Sequence, residues 1–241
     1  GGRAAARLRP VTPTLSLALA TAAFVGTHLL LSHPLRAGLV ARLGELAFIL
    51  VYSLVALVLL VWMILAWRAD LHGVPIWIAP VWWWPVASAL MLFASILFVG
   101  SLAGNPAFPR PGGPVRRFPP PGGVYAVTRH PMNWSFMLWA LVHISLSGSP
   151  RNLIVAGGIL LLGLVGSIGQ DRKKEHLLGE AWRDWERRTS FVPFAALLAG
   201  KVRWRNAVPG AVALLGGLIF WTLVTSYHAP LVSPLGDLLR F

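Results

Sequence analysis

The sequence predicts an all-α protein, a polytopic transmembrane bundle of about six spans with one amphipathic helix at the membrane interface. Three observations carry this. The chain is 56% hydrophobic and 12% charged. Long stretches such as 46–67 and 152–170 hold no charge at all. Its basic residues gather between the apolar runs, where they report membrane orientation and contact with anionic lipid rather than nucleic acid. Cysteine is absent, which excludes disulfides, thiolate metal ligands and thiol catalysis. The whole chain, residues 1–241, reads as one membrane domain.

Taken in order, Gly1-Gly2 reads as a processing or cloning scar. Arg3, Arg7 and Arg9 precede a first apolar run that lacks a small-residue cleavage site, so it is expected to anchor. Spans are expected near 14–31, 46–67, 74–103, 131–149, 152–170 and 207–228, with Pro85 kinking the third. Between Asn105 and Gly123 seven prolines and four glycines in nineteen residues require a loop. Asp171 to Ser190 is polar, with Leu177, Leu178, Trp182 and Trp185 on one helical face, and predicts the amphipathic helix; 191–198 reads as a short apolar return, re-entrant in form. Trp82-Trp83-Trp84 reads as an interfacial aromatic belt or a bulky packing face.

Fifteen of the twenty-one Lys and Arg residues fall in the loops after the odd-numbered spans. That places those loops in the cytoplasm and both termini outside it, in a bacterial-type inner membrane.

Two histidines lie deep in apolar segments, His28 in the first and His143 in the fourth. An imidazole at that depth needs a partner, water or a metal. Two readings stand for the pair, axial ligation of a haem between helices or hydrogen bonding across helices. His130 and His143, thirteen positions apart, diverge by about 140° on a helix and cannot face one site. Arg129-His130-Pro131 opens the fourth helix, either as a capped interfacial start or with Arg129 binding an anion beside the positive helix end. Glu45 and Tyr52 share one face of the second span, with Glu45 snorkelling at the border or joining a polar layer around the site. The charged run from Asp171 to Glu175 reads as a solvated interfacial face.

Thr27-His28, Pro34-Leu35-Arg36, Leu43-Gly44-Glu45, Tyr52-Ser53-Leu54, Thr128 to Pro131, Trp139 to His143, Asp171-Arg172 and Thr189 to Ala196 occur in an order that resembles the NnrU family. The resemblance covers roughly residues 20–200 and leaves the last span outside. It implies kinship with 15-cis-zeta-carotene isomerase and hence haem b held by His28 and His143. Arg129 and His130 become anion or propionate contacts, and Glu45 and Tyr52 their supporting layer. It also implies a cis–trans isomerase acting on a lipophilic polyene or, without catalysis, a haem sensor or electron carrier tied to nitric oxide and nitrite metabolism. Its partners would be a lipophilic or small gaseous substrate and membrane lipids.

Arg129-His130-Pro131 and Leu178 to Trp182 are also similar to the isoprenylcysteine carboxyl methyltransferases. This second resemblance implies S-adenosylmethionine near Arg129, His130 and the 171–188 helix. Departures from that pattern are Asn133, where the group has Tyr, and Asp171-Arg172, where it has a Glu pair.

Overall fold

The computed structural model describes residues 12–70, 73–106, 118–226 and 228. Among them the regular structure is helical, apart from one isolated bridge between Ile78 and Ser147. Helix α1 spans Pro13–Ser32, with Thr12 accepting a hydrogen bond from the Leu15 amide and Pro13 filling the first turn. Short α2, Arg36–Leu43, ends at Gly44, whose φ of 79° turns the chain into α3, Glu45–Ala69. Then follow α4, Trp83–Ser101, α5, Val124–Val127, and α6, Pro131–Leu146. The chain continues through α7, Pro150–Leu178, α8, Glu180–Arg188, α9, Ala195–Leu198, and α10, Ala211–Ser226.

Four of these helices, α1, α3, α4 and α7, are long and apolar enough to cross a membrane. Helices α6 and α10 have 16 residues each. At ~1.5 Å per residue each spans about 24 Å, short of a hydrocarbon core of about 30 Å. Outward-facing Leu, Val and Ile side chains on α3 and α10 match a lipid environment, where apolar exposure is favourable.

The helices pack in the order α3, α1, α7, α6, α4, α10. Helix α7 lies between α1 and α6, and glycines let both neighbours approach. A Cβ on Gly163 would lie 2.6 Å from Met137 of α6, and Gly158 faces Thr21 and Val25 of α1. Gly169 admits the His33 ring, since a Cβ there would lie 2.6 Å from its Nε2.

Several expectations are corrected. The third span begins at Trp83, not near residue 74, because Pro75 and Pro80 exclude a helix upstream. Instead 73–80 runs extended beside the α6–α7 turn, with Ile76 and Ala79 amides donating to Gly148 and Leu146 carbonyls. Pro85 consequently sits in the first turn of α4, where its missing N–H costs nothing, and makes no mid-helix kink. The fifth span does not stop near 170: α7 runs unbroken to Leu178, and Gly179, at φ 53°, separates it from α8. The amphipathic segment is therefore the end of α7 plus α8. Residues 191–198 form a tight loop and α9 instead of a re-entrant run. Residues 107–117 of the expected Pro-rich loop lie outside the described residues.

Gly217 meets the Ile96 backbone, with a Cβ only 2.7 Å from its Cα, whereas Gly157 has open space around it. Gly217→Ala is expected to lower the unfolding temperature in detergent, at a cost of about 1–3 kcal/mol from overpacking. Gly157→Ala is expected to raise stability by about 0.5–1 kcal/mol through helix propensity. Equal melting temperatures would contradict the α4–α10 packing.

Candidate functional site

One end of the bundle carries a buried ionic cluster. Arg129 enters it from the residue pair that precedes α6, and its position is fixed by backbone contacts. The Arg129 amide donates to the Ser190 carbonyl at 2.9 Å. Thr128, fully buried, donates through Oγ1 to the Phe191 carbonyl at 2.7 Å, and the Trp134 indole donates to the same carbonyl at 2.8 Å. Thr128 to Trp134 and the 190–194 loop are thus one hydrogen-bonded unit.

Asp171 of α7 completes the cluster. Its Oδ2 accepts from Arg129 Nε at 2.8 Å and lies 2.7 Å from Nη2, a forked contact, while Oδ1 lies 2.8 Å from His130 Nε2. Both partners' side chains are largely buried, at 16% exposure for Arg129 and 14% for Asp171. Glu186 of α8 sits 3.9 Å from Arg129. Burial, and then the nearby Asp171 charge, push the Glu186 carboxyl above the usual carboxylate range. One helical turn before Asp171, Ser167 accepts from Asn133 at 2.7 Å and ties α6 to α7 below the cluster.

This overturns the reading of Asp171 as part of a solvated face. Because α7 continues past residue 170, Asp171 keeps the helical register of Gly163 and Ser167 and points at α6. Arg129 does find a carboxylate, but it is the protein's own. The signal for this was the four-residue spacing of Gly163, Ser167 and Asp171, which shares one helix face.

His28, Tyr52, Ser32 and Lys173 form a second group, on the α1 side of α7. His28 lies edge-on to Tyr52, with ring centroids 5.4 Å apart, and Phe24 and Phe48 flank the two. Ser32 donates to the Tyr52 hydroxyl at 3.2 Å, and Lys173 Nζ donates to the Ser32 carbonyl at 3.3 Å. Glu45 pairs with Arg36 beside this group.

His143 lies at the opposite end of the bundle. Asn152, at the start of α7, donates to its carbonyl, and the His228 ring is its neighbour at 6.2 Å between centroids. Sequence reasoning did not single out His228, which ends the last apolar run.

The two deep histidines share one device. His28 Nδ1 bonds the Phe24 carbonyl at 2.7 Å and His143 Nδ1 bonds the Trp139 carbonyl at 2.8 Å, each one turn back on its own helix. That bond fixes the proton on Nδ1 and leaves Nε2 as the acceptor or ligand atom.

They are nevertheless not brought together. Helices α1 and α7 run parallel, with Thr21 against Gly158 and His33 against Gly169, so His28 is level with residues near 164 of α7. His143 is level with Asn152. Twelve residues of helix separate those levels by about 18 Å, with α7 between α1 and α6. Two imidazoles on one iron would stand about 4 Å apart, twice a metal–nitrogen bond of about 2 Å. As the helices are arranged, His28 and His143 do not fit one haem.

The NnrU protein family model matches residues 16–234. The chain belongs to the NnrU family. The match extends beyond the expected 20–200 and takes in α10, so the last apolar helix is part of the NnrU unit. Over 79 residues this NnrU chain is 32% identical to the chloroplastic 15-cis-zeta-carotene isomerase of Zea mays and 30% identical to that of Arabidopsis thaliana. Each match covers 33% of this chain and 22% of the relative, so the chain spans about a fifth of the length of the curated relatives it matches. No solved structure matches it.

Asp171→Asn is expected to destabilise the protein by about 3 kcal/mol, since it removes the close counter-charge of buried Arg129 and leaves only Glu186 at 3.9 Å. Combining it with Arg129→Gln should cost less than the sum of the two, and strict additivity in a thermal double-mutant cycle would contradict the pairing.

Glu186 gives a pH signature of definite sign. A carboxyl held above its ordinary 4.5 binds a proton more tightly folded than unfolded, so its contribution to stability falls as pH rises from 4.5 through the folded value. Glu186→Gln should remove that decline. An unchanged pH–stability slope in the variant would contradict the shift.

Proposed function

We propose that this NnrU protein is a membrane isomerase that changes the double-bond geometry of an apolar polyene taken from the bilayer. The observation that carries the reading is the sequence match to two 15-cis-zeta-carotene isomerases. The helix arrangement supports it. A polyene hydrocarbon dissolves among lipid tails and can reach half-buried side chains laterally, without an aqueous entrance. Around His28, the rings of Phe24, Phe48 and Tyr52 offer flat apolar faces to a conjugated chain, with His28 and Tyr52 the polar atoms within it.

Haem b, which the family resemblance implies, has no step here. His28 and His143 do not converge on one iron, and a haem sensor or electron carrier built on the same pair meets the same separation. The methyltransferase reading is disfavoured by a specific contact. Arg129 and His130, its candidate S-adenosylmethionine contacts, are already held by Asp171. The cytoplasmic placement of the cluster end belongs to the same proposal. It rests on Arg36, Arg129, Arg172 and Lys173 all falling at that end, as the charge bias requires.

The decisive experiment is reconstitution in liposomes loaded with 15-cis-zeta-carotene, with isomers separated chromatographically. Conversion well above protein-free vesicles is expected, and His28→Ala should lower the rate by about tenfold or more while the melting temperature is retained. No conversion by folded protein would overturn the reading. In the same preparation, a low-spin haem spectrum abolished separately by His28→Ala and His143→Ala would overturn the stated helix arrangement.

A further inference from the structure

A groove of about 650 Å³ runs between the α1–α2 corner and the last turns of α7. Its walls change character along their length. Leu29, Val165 and Ile168 make the inner part apolar, and Arg36, Arg172 and Lys173 crown the outer part. Val165 and Arg172 are seven residues apart on α7, so apolar wall gives way to cationic rim within about 10 Å.

A zeta-carotene-like hydrocarbon makes no use of such a rim. The charge distribution demands an occupant with an anionic head and an apolar tail. Arg36 is partly neutralised by Glu45, but Arg172 is exposed and has no ion-pair partner among the described residues. His33 also lines the groove, and its Nδ1 is buried without a hydrogen-bond partner.

We propose that this groove is a binding site for an anionic phospholipid, with the headgroup phosphate against Arg172, Lys173 and Arg36 and one acyl chain along Leu29, Val165 and Ile168. Three points on the molecule support the assignment. The rim carries a net positive charge that complements a phosphate. The groove opens beside exposed Leu30 and Leu177, which continue the apolar wall towards lipid. It also lies at the basic end of the α1 and α7 spans, the level at which lipid headgroups stand. Gly169 shapes the site, because any side chain there would expel His33 from its position between α1 and α7.

The site can be tested by native mass spectrometry of the detergent-extracted full chain, titrated with phosphatidylglycerol or with phosphatidylcholine of identical acyl chains. Preferential retention of phosphatidylglycerol is expected. Arg172→Gln with Lys173→Gln should weaken it about tenfold or more, since both substitutions remove positive charge that faces the headgroup. Arg203→Gln with Arg205→Gln removes the same charge from an exposed segment elsewhere and should leave retention unchanged. Soluble glycerophosphate, which has the head but no chain, should not compete.

Equal retention of the two lipids would overturn the proposal, as would equal loss in the two double variants. Competition by glycerophosphate would also overturn it, in favour of a soluble-anion site. Both pairs of substitutions are at solvent-facing or rim positions, and an unchanged melting temperature identifies variants that remain folded.

Discussion

The carboxylate of Asp171 is the contact on which the arrangement at the basic end depends. It is taken up by Arg129, whose amide donates to the Ser190 carbonyl, and by His130, whose amide donates to Thr128 Oγ1 and whose ring lies edge-on to Phe191. Through it the start of α6, the far half of α7 and the loop after α8 become one rigid junction. Removing an ion pair from water is costly, and the fork of bonds to the guanidinium, with a third bond to the imidazole, offsets that cost. Both oxygens of the Asp171 carboxylate are occupied by the protein's own groups. Its chemistry is internal cohesion, which moves attention to the His28–Tyr52 group on the other side of α7.

The existence of each long helix could be read from charge-free runs, because a bilayer leaves few other ways to satisfy backbone groups. Element ends were less legible. Pro75 and Pro80 mark where α4 cannot yet have begun, yet their apolar surroundings present the segment as a span. At the other end of the α6–α7 hairpin, polarity after residue 170 suggested a new helix, whereas only Gly179 supplies an actual break. Hydropathy detects where a helix leaves lipid, and backbone chemistry determines where it ends.

The candidate site was legible in part for a related reason. Tyr52 was placed on a polar stripe of its helix, and it does meet His28. The pairing of His28 with His143 failed because depth along a span is measured from a helix's own end, while levels in the bundle depend on direction. Helices α1 and α7 run parallel and α6 runs against them, so two histidines each near a helix C-terminus stand at opposite ends. Asp171 was read as solvated because a carboxylate amid Arg172, Lys173 and Lys174 looks so until the register of α7 is known.

The position of α7 also constrains the order in which the protein can be assembled. As the last of the four long apolar helices to leave the ribosome, it ends up between α6, made immediately before it, and α1, made first. Until then α1 and α3 must hold together alone, and they have the means: Thr14 donates to Asp70 at one end and Ser32 to Tyr52 at the other. Arg151 reaches the Asp70 carbonyl only from the first turn of α7, 81 positions later in the chain. The early pair of helices thus has two polar contacts of its own, while Thr21 Oγ1 and Asp70 Oδ2 keep no hydrogen-bond partner among the described residues, and α6 and α7 dock onto it as a second unit. Contacts this distant in sequence form slowly, so the α1–α3 half comes first and the insertion of α6 and α7 completes the fold.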